Sequence, residues 1–133
     1  MQETVYLSSE SAKRLSTVYP DLAKVIMEAT KLFPLMVVCG YRDENAQNEA
    51  FASGASKQRW PNSKHNTKPS LAVDISPIPY ETTNVKKLTY IAGHIMAIAH
   101  QMGIKLRWGG DFNMNLNPAD DNFQDLYHFE ILL

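Results

Sequence analysis

Apolar and polar positions recur with two different periods along this chain, and the changes of period divide it into helices and strands. Between residues 8 and 32, Leu15, Val18, Leu22, Val25, Ile26, Ala29 and Leu32 return at helical spacing, with an interruption at Tyr19-Pro20. This predicts two helices or one kinked helix. Ser9 with Glu10 offers a start signal, and Pro20-Asp21 can restart a helix because proline is tolerated in a first turn. Residues 35–39 read as a buried strand ended by Gly40. Residues 43–52 read as a short helix opened by an acidic residue that suits the N-terminal dipole, and closed near Gly54. Residues 53–70 hold no sustained period, which predicts a long irregular connection of the kind that often carries function.

Leu71, Val73 and Ile75 then alternate with Ala72, Asp74 and Ser76, the pattern of a strand with one apolar face, closed by Pro77 and Pro79. Asp74 therefore points away from the packing side. Residues 84–102 form a strongly apolar helix stopped by Gly103, 105–108 a short strand, and 109–124 another loop. In the last strand, 127–133, Tyr127, Phe129, Ile131 and Leu133 share one face while His128 and Glu130 share the other. The expected fold is α+β: a small antiparallel sheet with helices packed on one face and, on the other, a cleft that presents the metal-competent Asp74 and His128.

The bulk numbers narrow the partners. A length of 133 residues fits one domain, so residues 1–133 are expected to form a single domain around one core. With 13 Lys and Arg against 14 Asp and Glu, the net charge of -1 gives no general attraction to nucleic acid or to an anionic membrane. Residues 1–5 lack the basic start and apolar stretch of a secretory signal, which suggests synthesis in the cytoplasm without membrane insertion. Cys39 is the sole cysteine, so no internal disulfide is expected. Its neighbours Met36, Val37 and Val38 favour a buried structural thiol over a nucleophile.

Catalytic zinc usually takes three nitrogen or oxygen ligands and keeps a position for water, whereas structural zinc is closed by four ligands, often cysteines. His65, Asp74 and His128 would supply two imidazoles and a carboxylate, a set that leaves the ion positive and its water acidified. On spacing alone that set is a weak signal. Asp125, three residues before His128, is expected on the turn into the last strand, where it could act as general base and then general acid. His94 and His100 are about 240° apart around a helix of ~3.6 residues per turn, and cannot converge on one ion.

Taken in order, Ser63-Lys64-His65, Ala72-Val73-Asp74, Trp108-Gly109-Gly110-Asp111-Phe112 and Asp125-Leu126-Tyr127-His128-Phe129-Glu130 resemble a family's signatures. The family is that of zinc D-alanyl-D-alanine carboxypeptidases and L-alanyl-D-glutamate endopeptidases, which includes phage endolysins. The similarity extends to Gly40-Tyr41-Arg42, Gln47 and Gly54-Ala55-Ser56, and so covers the chain from about residue 7 onward. The resemblance implies that His65, Asp74 and His128 bind zinc and that Asp125 fills the place of the catalytic acid. It also implies that Arg42 contacts substrate, a task that suits its fixed fork of donors; the other reading is a solvated loop arginine.

Two departures from the family pattern stand out. His65 and Asp74 are nine apart, where a shorter glycine-containing spacing is common, and Asp125 stands where many members have Glu. An aspartate there is closer to the L-alanyl-D-glutamate endolysins than to the dipeptidases. Ser63 reads as a partner of the ligand loop or a simple turn residue, and Trp108 as a cleft wall or a core cover. Asp111 reads as an acceptor orienting a ligand histidine or as a loop cap, and Glu130 as a cleft residue or a solvated edge carboxylate.

The resemblance thus implies a zinc metallopeptidase that cuts the peptidoglycan stem peptide at the L-alanyl-D-glutamate bond, acting on the cell wall after holin-type release, and a monomer is expected. The alternatives are a D-alanyl-D-alanine carboxypeptidase and a non-catalytic zinc-containing wall-binding module.

Overall fold

The structure is a computed structural model that describes residues 7–81, 83–120 and 125–133; the terminal residues 1–5 and the loop positions 121–124 read above lie outside that set. Helix α1 spans Ser9–Leu15 and is capped by Ser8, whose hydroxyl accepts from the Ser11 amide at 3.1 Å. Helix α2, Pro20–Ala29, begins on its proline. Of the two options the periodicity left open, two separate helices form. Between them the chain is extended: Val18 bridges Ser70, and the Tyr19 amide donates to the Ser70 carbonyl at 2.8 Å.

Strand β1, Leu35–Cys39, is followed by α3, Glu44–Ala52, which is capped by Asp43 through the Ala46 amide at 2.9 Å. After the long connection come β2 (Ala72–Pro77), α4 (Val85–Gln101, capped by Asn84), β3 (Leu106–Trp108) and β4 (His128–Ile131). The four strands form one sheet in the order β1-β2-β4-β3, with each neighbouring pair antiparallel. β4 is shorter than the pattern suggested. Tyr127 belongs to the preceding turn, closed by the bond from the His128 amide to the Asp125 carbonyl.

The core lies between one face of this sheet and the helices. Leu22, Val25 and Ile26 of α2 and Ile91, Ala92 and Ile95 of α4 meet Val37, Val73, Ile75, Phe129 and Ile131 from the strands. Fully burying each such aliphatic side chain is worth roughly 1.5–3 kcal/mol, so the alternation Val73, Ile75 against Asp74 is energetically enforced. A slip of one residue would drive a carboxylate into the core. α3 differs from α2 and α4: Gln47 is its one buried side chain, and it bonds to Arg42 and Asn66 rather than joining the apolar core.

Candidate metal centre

Asp74 sits mid-sheet on β2, with His128 of β4 paired directly across from it. His65 reaches the same point from a 3-10 turn, Lys64–Asn66, that stands over the strand. Ser63 caps this turn by accepting from the His65 amide at 3.2 Å, and Asn66 returns a bond by accepting from the Ser63 amide at 3.0 Å. The nine-residue spacing closes because the chain is tied on its way back: Leu71 donates to the Lys64 carbonyl, and Ser70 to the Thr17 carbonyl.

One oxygen of Asp74, Oδ1, lies 3.3 Å from His65 Nε2 and 3.4 Å from His128 Nδ1. The far nitrogen of each ring is held by an acceptor. His65 Nδ1 meets the Gly40 carbonyl at 2.7 Å, and His128 Nε2 meets Glu130 at 2.8 Å. Neutral rings donating outward in this way turn their lone pairs inward. Two ring nitrogens and a carboxylate oxygen then face one another, and Asp74 Oδ1 is buried without a donor in good hydrogen-bond geometry, so a proton or a cation is needed between them. That is the donor set and the electrostatic vacancy a divalent cation fits.

The ionisation of these groups points the same way. Burial opposes charge on His65, yet the adjacent Asp74 carboxylate outweighs it and raises the imidazole to about 10. Burial likewise works against charge on His128, and Asp74 and Glu130 together raise its pKa. Burial also opposes the charge on Asp74, but the two imidazoles hold it far below the usual carboxylate range. The pocket therefore stabilises positive charge, which protons supply when no metal does.

Asp125 is on the turn before β4, as its position relative to His128 suggested, with its amide bonded to the Gly109 carbonyl at 2.8 Å. It approaches so closely that a Cβ on Gly109 would fall 2.0 Å from the Asp125 carbonyl oxygen. Asp125, Asp74 and His128 each offer a ligand atom within 4.8 Å of the others. Burial first, and then the charge of Asp74, raise the Asp125 pKa, while His128 and His65 restrain it.

These residues line a cleft of about 960 Å³ that also receives Arg42, Cys39, Ser63 and Tyr80. Arg42 Nη2 is 3.5 Å from Asp74 Oδ2, and its Nη1 donates to Gln47 at 2.9 Å. Three side chains stand differently from at least one of the readings above. Trp108 is 7% exposed and belongs to the core, with its indole N–H donating to the Leu126 carbonyl. Asp111 caps its own loop through the Leu116 amide at 3.0 Å. The carboxylate against His128 is instead Glu130, 3% exposed and also paired with Arg107 at 2.7 Å.

Cys39 is the clearest correction: it is half-buried and opens on the cleft rather than lying in the core. Strand β1 carries a bulge between Val37 and Cys39, so Cys39 pairs with Asp74 instead of continuing Val37's inward phase. Bulges re-aim side chains in this way, and the residue pattern of one strand does not reveal them. Gln47 carried no chemical signal of its own beyond the family resemblance, because a lone glutamine in a weakly apolar helix reads as solvated.

The sheet brings two imidazoles and a carboxylate together beside a second carboxylate on the floor of an open cleft, a candidate metal-binding group next to a proton acceptor. Residues 4–132 match the phage L-alanyl-D-glutamate peptidase family; the chain belongs to that family and is a peptidase. It is 29% identical over 131 residues to the L-alanyl-D-glutamate peptidase of Escherichia phage T5, covering 92% of this chain and 94% of the relative. Its fold is similar to the crystal structure of the Serratia marcescens L-Ala D-Glu endopeptidase ChiX. The TM-score is 0.74 at 26% identity, over 96% of this chain and 91% of the other.

Proposed function

We propose that this chain is a zinc-dependent endolysin that hydrolyses the L-alanyl-D-glutamate bond of the peptidoglycan stem peptide. The observation that carries the reading is the single unpartnered Asp74 oxygen facing two inward-turned imidazoles. His65, Asp74 and His128 would hold the zinc, which when bound supplies a Lewis acid that polarises a carbonyl and acidifies water. Asp125 takes the proton of the attacking water and passes it to the leaving amine, a task that its raised pKa suits. Arg42, fixed by Gln47, orients the substrate carbonyl or a neighbouring carboxylate. Gly40 and Glu130 keep the two imidazoles in the ligating tautomer.

The family membership and both named relatives support the bond assignment. Residues 1–133 act as one catalytic unit, working as a monomer in the wall. Among the described residues no helix is long and apolar enough to cross a membrane. Access to the wall through a holin-type lesion is what the resemblance to phage endolysins implies. The test is Asp125→Asn: zinc content should persist while lysis falls by roughly 10²–10⁴, the usual worth of a positioned acid–base group. Retained lysis would remove Asp125 from the reaction.

A further inference from the structure

Cys39, Asp74 and His128 form one row across three neighbouring strands, since Asp74 is the pairing partner of both. Residues directly opposite on adjacent strands share a face, with Cβ atoms about 4.5–5.5 Å apart. The bulge in β1 places a thiol on this face, where uninterrupted alternation would have buried it. The sulfur, a His65 nitrogen and an Asp74 carboxylate oxygen all lie within 4.8 Å of one another. They constitute a second three-donor set that shares Asp74 with the group of Asp74, Asp125 and His128. Asp74 Oδ1 is buried and meets no donor in good hydrogen-bond geometry.

We propose that Cys39 is a further donor to the cation: in the substrate-free enzyme its thiolate occupies the coordination position that solvent and substrate use during turnover. The proposal rests on the metal reading above and goes beyond it. On binding, the S–H bond breaks, a sulfur–metal bond forms and the proton leaves to solvent. Sulfur, the His65 imidazole and the Asp74 carboxylate would supply three donors to the ion, with His128 approaching from the other side of Asp74. Substrate must then displace the thiolate. A thiolate donor also biases the centre toward thiophilic ions such as zinc and cadmium.

Because the chain has one cysteine, a spectroscopic test is unambiguous. The protein is loaded with one equivalent of cobalt(II) under anaerobic, reducing conditions, and its near-ultraviolet spectrum is recorded before and after adding stem-peptide fragments. The expected result is a thiolate-to-cobalt charge-transfer band that weakens on adding the fragments. Cys39→Ser should keep one equivalent of cobalt and lose the band, and a serine variant that keeps the band overturns the role of Cys39. One equivalent of bound cobalt with no band in the unaltered protein overturns the role of Cys39 alone. Failure to take up cobalt at all overturns the metal centre, and this proposal with it.

Discussion

Replacing Gln47 with leucine should damage the site from a position that touches neither substrate nor metal. Gln47 is fully buried, and all four of its side-chain hydrogen-bonding capacities are used. Its amide nitrogen donates to the Ser56 hydroxyl at 2.9 Å and to the Gln58 carbonyl at 2.7 Å. Its oxygen accepts from Arg42 at 2.9 Å and from Asn66 at 3.0 Å. It thus ties the arginine that reaches Asp74 to the turn that carries His65. Leucine is of similar volume, so the loss is polar rather than a cavity. The buried Asn66 amide forfeits a partner outright, at about 1–3 kcal/mol. The other three groups are only part-buried and recover some hydration, which puts the total at roughly 2–4 kcal/mol. For a chain of this size that corresponds to a fall in Tm on the order of 6–15 °C. Thermal denaturation of the metal-loaded protein reads the stability. Turbidity loss of a wall suspension reads the activity, which should fall at least about tenfold as Arg42 loses its orientation. Gln47→Glu, which keeps an acceptor for Arg42 and Asn66, should lose less lysis than the leucine variant. A leucine variant that melts within about 2 °C of the parent and lyses walls normally would refute the reasoning.

Three further outcomes follow from the same geometry. Glu130→Gln leaves an acceptor for His128 but removes the charge shared with Arg107, and should weaken zinc binding by about 10–100-fold in a competition titration; unchanged affinity would show that the carboxylate does not tune its ligand. Gly109→Ala places a Cβ 2.0 Å from the Asp125 carbonyl, so the turn must move: lysis should drop while one zinc stays bound, and a fully active variant would mean that Asp125 is not held where the structure puts it. In the metal-free protein, His65 is raised from 6.5 to about 10, so its contribution to stability is complete below about pH 6.5 and is lost as pH climbs through 10. The Tm of metal-free protein should therefore fall across that window while zinc affinity rises, because protons and metal compete for the same nitrogens. A metal-free Tm that rises from pH 6.5 to 10 would contradict the charge arrangement of the pocket.

Much of this was legible in the residues, and the limits have physical causes. Periodicity located the helices and strands to within a few residues, and alternation in 71–76 and 127–133 assigned Asp74 and His128 to the face away from the core, as observed. Ordered motifs linked His65 and Asp125 to that face. What a single strand cannot encode is its register against a neighbour. Cys39 looked like a core thiol because the bulge that turns it toward Asp74 exists only in the pairing of β1 with β2. From the sequence, Asp111 is open as the partner of a histidine in the site, whereas Glu130 reads only as a cleft residue or a solvated edge carboxylate. The two-residue step from His128 to Glu130 along one strand face decides for Glu130, while Asp111 satisfies its own loop. Trp108 joined the core because its ring packs under Gly110, where a Cβ would come within 2.3 Å of it.

The most direct test of the account is to digest purified peptidoglycan with the zinc-loaded protein, and with chelator-treated protein before and after zinc is restored, and to identify the new ends by mass spectrometry. The account predicts newly freed D-glutamate amino groups and L-alanine carboxyl groups, absent after chelation and regained with zinc. Release of D-alanine instead, or cleavage indifferent to chelation, would contradict it.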